Sequence, residues 1–213
     1  MGKRAGGVHA VLLAFVVVVV WERHTTAETR VALEANALGD LFRNAEAFPE
    51  PARDSLYRAI DRYARVVIED EWDSMARGQP SPAAVQAYTE LWRSYVRFEP
   101  RTQREALWYR ATVDQLDDLG DARRLRLLSS RMRVPGVMWV VLLAGGAITI
   151  AFGFLFGTKG VSAQALMVAV VSVIVSLVLL LISILQHPFS GATRLDPVAF
   201  EQVRAAIARV GPP

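Results

Sequence analysis

The chain has 213 residues, 53% of them hydrophobic, and a formal net charge of +3. The absence of cysteine excludes disulfides, thiolate metal sites and cysteine nucleophiles. The three histidines (His9, His24 and His187) lack a metal-binding spacing, and no GxSxG, Walker-type or GxGxxG sequence occurs. Composition and motifs therefore give no indication of an enzyme, a cofactor or a resident metal. Residues 22–133 contain 18 arginines and 19 acidic residues, so nucleic acid is not an expected partner.

The first apolar block runs from Ala5 to Trp21. Its length of about 17 residues is the lower limit for a helix that crosses a bilayer. Lys3 and Arg4 before it also fit a secretory signal peptide, with a small-residue cleavage site near Ala27. Because the helical pattern continues directly past Trp21, a permanent membrane anchor is favoured, and residues 1–21 are predicted as the first transmembrane helix.

Two longer blocks without any charged residue follow, from Val134 to Gly157 and from Ala163 to Leu185. Each exceeds the roughly 20 residues that a spanning helix needs. A short turn, Thr158 to Ser162, separates them, so residues 134–186 are predicted to form a transmembrane helical hairpin. Residues 187–213 are predicted to be a cytosolic C-terminal tail with one short helix, from about Pro197 to Val210.

Residues 22–133 are polar but show apolar residues at helical spacing, and prolines and glycines divide them into about four helices. The last of these is expected from about Thr102 to Met132, with Gly120 as an alternative break. No alternating pattern predicts a strand. The predicted fold class is therefore an all-α integral membrane protein, with three transmembrane helices and a cytosolic helical domain inserted between the first and second.

The distribution of arginine predicts the orientation in the membrane. Arginines are dense from Arg123 to Arg133, before the second block, whereas the turn between the second and third blocks has only Lys159. Residues 22–133 and the C-terminus are therefore expected in the cytoplasm. Lys3 and Arg4 are then on the opposite side, which indicates either that this pair is tolerated or that the natural protein has a further span upstream.

Small residues form a stripe along one face of the third span and a shorter pattern in the second. A GxxxG motif, Gly153 to Gly157, ends the second span. Small residues allow close helix packing, which is the favoured interpretation, and a hydroxyl-lined permeation path is the alternative. The packing residues predicted from these patterns are Ala165, Ala169, Ser172, Ser176, Gly153 and Gly157.

Three charged segments have a structural and a functional interpretation. The acidic run Glu69–Asp73 is expected to be a solvated or arginine-paired helix face, and a divalent-cation site is the alternative. The acids of Asp114–Asp121 precede Arg123, Arg124 and Arg126 on one predicted helix. Carboxylates three or four residues from arginines stabilise a helix surface, which predicts surface ion pairs here. Trp21-Glu22-Arg23 is typical of an interfacial anchor, and in an oligomer Glu22 and Arg23 could instead surround a pore mouth.

Several short motifs, in this order, resemble the bacterial bestrophin-like domain family, whose members are related to bestrophin anion channels. They are VWER at Val20–Arg23, AETRVALEANAL at Ala27–Leu38, EW at Glu71–Trp72, LGDARRLRL at Leu119–Leu127 and HPFSG at His187–Gly191. The resemblance implies a cytosolic helical domain between the second and third spans of the family plan. The first block here then corresponds to the family's second span.

Bestrophins are pentamers whose second span lines an anion pore, and by that analogy Phe15, Val19 and Glu22 line a pore here. The asparagine- and proline-phenylalanine-rich neck of true bestrophins is not present in Val16–Val20. The resemblance implies an oligomeric channel for anions or other small ions in the bacterial cytoplasmic membrane. Its expected partners are the lipid bilayer, further copies of the chain and small anions. The alternative is a non-conducting, membrane-anchored helical scaffold or sensor that binds a protein partner.

Overall fold

The computed structural model describes residues 2–155, 160–191 and 193–210, and these residues form helices and turns without any strand. A π-helical turn, Val67–Glu71, joins the second helix to the third. The all-helical prediction is confirmed for this part of the chain. The α-helices are α1 (Gly2–Ala45), α2 (Ala52–Val66), α3 (Trp72–Ala76), α4 (Pro82–Val96), α5 (Gln103–Arg131), α6 (Gly136–Leu155), α7 (Val161–Leu185) and α8 (Val198–Val210).

Within the described ranges, three helices are long and apolar enough to cross a membrane. They are the Ala10–Ala45 part of α1, with a mean hydropathy of 1.5, α6 with 2.2 and α7 with 3.2. The chain is thus an integral membrane protein, and the predicted hairpin corresponds to α6 and α7. Gly157 and Lys159, which the sequence singled out, lie outside the described residues. The first helix continues well beyond Trp21, as its uninterrupted helical pattern indicated.

The chain divides into two compact units. The first, here called the membrane unit, consists of residues 1–25 and 132–193. The second, here called the helical unit, consists of residues 26–131 and 194–213. Helix α8 is therefore part of the helical unit, whereas the sequence boundaries treated residues 187–213 as a separate tail.

The membrane unit has a small apolar core contributed by all three of its helices. Leu13, Val16 and Val20 of α1, at spacings of three and four residues, are buried against the hairpin. Their partners in this core are Leu142 of α6 and Ile182 and Leu185 of α7. Most other large side chains of α6 and α7 are exposed, as expected for helices that contact lipid tails.

The helical unit is held together by buried aromatic side chains that also form hydrogen bonds. The Tyr95 hydroxyl donates to the Leu41 carbonyl at 3.1 Å, and Trp72 Nε1 donates to the Leu195 carbonyl at 2.7 Å. The rings of Trp72 and Phe200 lie 6.1 Å apart and pack edge to face. These contacts pack α8 within the helical unit. Their polar ends are paired, so burial of these large side chains leaves none of the named donors unsatisfied.

Helix α5 is unbroken at Gly120, so the alternative break expected there is wrong. A Cβ atom added at Gly120 would lie 2.3 Å from the Tyr88 hydroxyl oxygen. The glycine therefore serves close packing of α4 against α5 and does not end the helix. The start of α4 agrees with the sequence: the Ser81 hydroxyl caps the helix by accepting from Ala84 N at 3.2 Å, and Pro82 occupies the first turn.

Candidate functional site

The three pore-lining residues predicted from sequence lie on one side of α1. At about 100° per residue, Phe15, Val19 and Glu22 fall within roughly a sixth of the helix circumference. The Phe15 side chain is 64% exposed, Glu22 is exposed and Val19 is half-buried. Helix α1 therefore presents a face with an aromatic ring and a carboxylate that its own membrane unit does not cover.

The buried face of α1 points in another direction. Leu13, Val16 and Val20 lie about a third of a turn or more from the direction of Phe15 and Glu22. All three are buried, with Val20 only 1% exposed. The packing of α1 on α6 and α7 thus uses one stripe of the helix and leaves the Phe15–Glu22 face available to other molecules.

The predicted small-residue stripe of α7 is also uncovered in the single chain. Ala165, Ala169 and Ser176 are exposed and Ser172 is half-buried, with its hydroxyl bonded to the Val168 carbonyl of its own helix. The residues of α7 that are buried within the unit are Val168, Val175, Ile182 and Leu185, between about a fifth and a half of a turn away. Gly153 of α6 packs closely on α7, since an added Cβ would lie 3.0 Å from a Val168 methyl group.

A second cluster of functional groups, which the sequence interpretation missed, lies inside the helical unit. We call it the buried charge cluster, and it consists of Glu34, Tyr63, Glu71, Arg123 and Arg126. Both carboxylates and the Arg126 side chain are fully buried. Four of its five members are charged, which is rare in a protein interior unless the charges are paired.

Arg126 is the centre of the buried charge cluster. Its Nε and Nη2 atoms donate to the two oxygens of Glu34 at 2.5 and 3.0 Å, and Nη2 also donates to Glu71 Oε2 at 2.5 Å. Its remaining nitrogen, Nη1, lies 2.7 Å from the sulfur of Met75. The guanidinium carbon is 5.7 Å from the ring centres of Trp72 and of Phe200. The cation is thus hydrogen-bonded to two carboxylates and lies within cation–π distance of two aromatic rings.

The other members complete the pairing. Arg123 donates to the second oxygen of Glu71 and lies 5.7 Å from the ring centre of Tyr88. The Tyr63 hydroxyl donates to Glu34 Oε1 at 2.5 Å. No polar side-chain atom of the cluster is left buried without a partner. The cluster consequently meets the condition under which buried ions are tolerated, because each charge is paired with an opposite charge.

The electrostatic environment favours one protonation state for the cluster. Burial raises the pKa of Tyr63 well above its usual range, and the Glu34 carboxylate raises it further. Burial by itself lowers the pKa of Arg126, but the carboxylates of Glu34 and Glu71 outweigh burial and the net shift is upward. A neutral tyrosine and a charged arginine are therefore both stabilised. The groups of the cluster are bonded to one another, and these bonds connect α1, α2, the π-helical turn and α5. This arrangement indicates a structural role.

These contacts correct one prediction and confirm part of another. Arg123 and Arg126 were expected to form surface pairs with the acids of Asp114–Asp121, but both are buried and pair with Glu34 and Glu71. Only Arg124 forms such a surface pair, with Asp121 at 2.9 Å. Within the acidic run Glu69–Asp73, Glu71 is paired with arginine, as that interpretation expected.

The spacing of the charged residues along their helices could have indicated the buried charge cluster from the sequence. The buried residues of α5 include Thr112, Leu116, Leu119, Arg123 and Arg126, at spacings of four, three, four and three. The two arginines therefore continue the apolar stripe of the helix. Glu34 does the same between Val31 and Leu38 of α1. Charged residues in register with a core stripe indicate buried ion pairs.

No group of three His, Cys, Asp or Glu side chains among the described residues could hold a metal ion. The acidic run Glu69–Asp73 provides only part of such a set, because Glu71 is fully buried and bound to two arginines while Asp70 bonds to Ser81. Its remaining carboxylates are not gathered at one point.

The comparison with protein families matches the bestrophin-like domain over residues 3–200. Two structures of a bacterial bestrophin homologue from Klebsiella pneumoniae, each with a different mutation, are similar to this chain, each with a TM-score of 0.78 and 13% sequence identity. These alignments cover 98% and 97% of this chain and 85% and 86% of the homologue. A third variant has a TM-score of 0.77 at 14% identity and covers 98% of this chain and 85% of the homologue. None of the curated proteins matches the sequence.

The motifs that carried the resemblance include all four charged members of the buried charge cluster. Glu34 is in Ala27–Leu38, Glu71 begins the EW pair, and Arg123 and Arg126 are in Leu119–Leu127. The structural likeness at this low identity supports the fold, and the family match spans nearly the whole sequence. The chain belongs to the bestrophin-like domain family.

Proposed function

We propose that this chain is a subunit of an oligomeric channel for small inorganic ions in the bacterial cytoplasmic membrane. The observation that carries the proposal is the division of α1 into two faces. Leu13, Val16 and Val20 pack within the membrane unit, while Phe15 and Glu22 face away from it. A division of this kind is expected when one face of a helix packs on its own subunit and the other lines a pore.

Three spanning helices cannot enclose a conventional pore, so the proposal requires several copies of the chain. Phe15 would then form an apolar ring, Val19 a second one, and Glu22 a ring of carboxylates at the end of the span. A pentamer is the assembly that the resemblance implies. The helical unit would face the cytoplasm, because the arginine-rich segment before α6 belongs on that side of the membrane.

The charge of Glu22 bears on the ion that passes. It is the only acidic residue in residues 1–25 and 132–193 of the membrane unit. A ring of carboxylates attracts cations and repels anions at a pore mouth. Glu22 therefore favours small cations at this position, whereas the resemblance implies anions. The sign of the reversal potential under a salt gradient distinguishes a preference for cations from a preference for anions.

The test is ion flux into liposomes that contain the purified full chain, compared with empty liposomes. We expect flux in the wild type and a several-fold change in Phe15→Ala, because removal of the ring widens an apolar constriction. Val140→Ala is a matched control, since Val140 is 67% exposed and lies on α6. No flux from a folded, inserted and oligomeric protein would contradict the proposal, and equal changes in both variants would contradict the assignment of Phe15.

The second candidate function is a membrane-anchored scaffold, and one feature of the helical unit favours it. An open groove of about 700 Å³ lies where α2 begins and α4 ends, lined by residues that include Pro51, Phe98 and Arg101. Such a groove is large enough for a short peptide segment. The subunit number in detergent separates the candidates, because a monomer supports the scaffold and excludes a pore built from α1.

A further inference from the structure

We propose that the membrane unit binds the phosphate group of an anionic phospholipid at Arg23 and Arg133. These arginines lie at the end of the unit where α6 begins. The site goes beyond the proposed channel function, because it would bind lipid whether or not the protein conducts ions. Its expected ligand is a lipid of net negative charge, such as phosphatidylglycerol.

Two contacts connect α1, the start of α6 and the end of α7 at this place. Arg23 Nη1 donates to the backbone carbonyl of Arg133 at 3.5 Å, which connects α1 to the segment before α6. Trp139 Nε1 donates to Gln186 Oε1 at 3.4 Å, which connects the first turn of α6 to the end of α7. The guanidinium group of Arg23 is thus positioned beside the backbone that carries Arg133.

The charges of these two arginines are not neutralised within the described part of the membrane unit. Both side chains are exposed, and neither takes part in an ion pair between described residues, all of which lie in the helical unit. The sequence of the unit offers only Glu22 as an acid. Guanidinium groups bind phosphate oxygens through paired hydrogen bonds, so an external phosphate is a suitable counter-ion.

The position of the arginines along the bilayer normal favours a lipid over a phosphate ion from solution. Tryptophan is enriched at the level of the lipid headgroups, and Trp21 (59% exposed) and Trp139 are both at this end of the unit. Arg23 follows Trp21 by about 3 Å of helix rise, which places it at headgroup depth. Val137 and Val140, in the first turns of α6, are exposed by 75% and 67% and offer an apolar surface to the acyl chains.

A net negative headgroup should be preferred over a zwitterionic one. Each arginine near an anionic lipid surface strengthens the attraction by about fivefold in affinity. The first peptide N–H groups of α6 add partial positive charge to that of the two side chains. The ammonium group of phosphatidylcholine cancels its phosphate charge, so most of this gain is lost.

The test is native mass spectrometry of the detergent-solubilised full chain with added phosphatidylglycerol or phosphatidylcholine of equal acyl chains. We expect preferential retention of phosphatidylglycerol by the wild type. Arg23→Gln and Arg133→Gln should each weaken that retention about fivefold, and the double variant about 30-fold. Arg23→Lys should retain most of the binding. Arg209→Gln is the matched control, because Arg209 is an exposed arginine of α8 in the helical unit.

Three outcomes would overturn the proposal: equal retention of the two lipids by the wild type, unchanged retention by the double variant, or displacement of the lipid by inorganic phosphate at equal concentration. The first and third need no substitution, so they remain decisive if a variant fails to fold. Circular dichroism and subunit number verify that each variant is intact. Because the readout is lipid mass and not ion flux, failure here leaves the channel proposal to its own test.

Discussion

Arg126 and Glu34 form a two-pronged ion pair in which both side chains are fully buried, although 92 residues separate them in the sequence. The bonds measure 2.5 Å from Nε to Oε2 and 3.0 Å from Nη2 to Oε1. The pair connects α5 to the part of α1 that belongs to the helical unit. Removal of one partner of such a buried pair is strongly destabilising, because the other partner is then a buried charge without compensation.

Arg126→Met should therefore destabilise the helical unit strongly. Removal of the cation leaves Glu34 and Glu71 buried with an uncompensated negative charge, and we expect a cost of about 3–5 kcal/mol in the free energy of unfolding. Arg124→Gln is the control, since its pair with Asp121 is exposed and its loss should cost little. Thermal unfolding of the purified protein in detergent measures both. Equal melting temperatures for Arg126→Met and wild type would show that the cluster contributes nothing.

Tyr63 should make stability fall at alkaline pH. Burial, followed by the Glu34 carboxylate, raises the pKa of folded Tyr63 well above its ordinary value of 10.0. Above about pH 10 the unfolded state loses this proton while the folded state retains it, so the unfolded state binds fewer protons and stability decreases with pH. The contribution is fully present below pH 10 and declines by up to about 1.4 kcal/mol per pH unit above it.

Tyr63→Phe tests this dependence, because it removes the titrating group. The variant should be less stable than the wild type at neutral pH, by about 1–3 kcal/mol, since Glu34 loses a hydrogen bond. The stability difference between the two proteins should shrink as pH rises through 10, measured by unfolding at a series of pH values. A difference that stays constant with pH would exclude Tyr63 as the titrating group.

Gly120→Ala should destabilise the helical unit by about 1–3 kcal/mol, because the new methyl group would lie 2.3 Å from the Tyr88 hydroxyl oxygen. Gly39→Ala is a matched control: its nearest atoms are 3.7 Å or more away, and alanine should stabilise a helix interior by about 0.5–1 kcal/mol. Tyr88→Phe combined with Gly120→Ala should recover part of the loss in melting temperature. A melting temperature of Gly120→Ala equal to or above that of the wild type would show that the packing of α4 on α5 does not require this close approach.

Glu22→Gln should shift the selectivity of the proposed pore towards anions. The substitution keeps the size of the side chain and removes a negative charge from each subunit, so the ring no longer attracts cations. The reversal potential in a bilayer under a potassium chloride gradient measures this shift. Trp21→Phe, at the neighbouring exposed position, should leave the reversal potential unchanged. An unchanged potential in Glu22→Gln would show that Glu22 does not face the ion path.

Ala169→Leu should weaken assembly of the proposed oligomer. Ala169 belongs to the small-residue stripe of α7, which is exposed in the single chain and which we propose packs against a further copy. A leucine there would hold the helices apart. Ala163→Leu is the control for the same added volume, because Ala163 is exposed and lies about a third of a turn from Ala169 on the same helix. Subunit number in detergent gives the result, and an intact oligomer in Ala169→Leu would exclude this face as the contact.

Much of the fold follows from properties that are local in the sequence. The spans α6 and α7 are recognisable because the free energy of transfer into lipid is a sum over consecutive residues, and these blocks contain no charge. The ends of a helix could also be predicted where local residues set them, as Ser81 and Pro82 do at the start of α4. The ordered motifs were sufficient to indicate the family.

The interior of the helical unit was decided only by tertiary packing. The nearest acid before Arg123 and Arg126 on the same helix is Asp121, two and five residues away, and the local sequence shows no buried partner for either arginine. Folding instead brings Glu34 and Glu71 from distant helices, and in the buried site these carboxylates compensate the arginines where water cannot. Gly120 likewise suggests a helix break in the sequence, and its role became clear only from the close approach of Tyr88. The buried and exposed faces of α1 likewise depend on where the hairpin packs. The spans could be predicted from the sequence, because the free energy of transfer into lipid is a sum over consecutive residues. Which charges are buried, and which helix faces remain exposed, depends on contacts between residues that are far apart in the sequence and that only folding brings together.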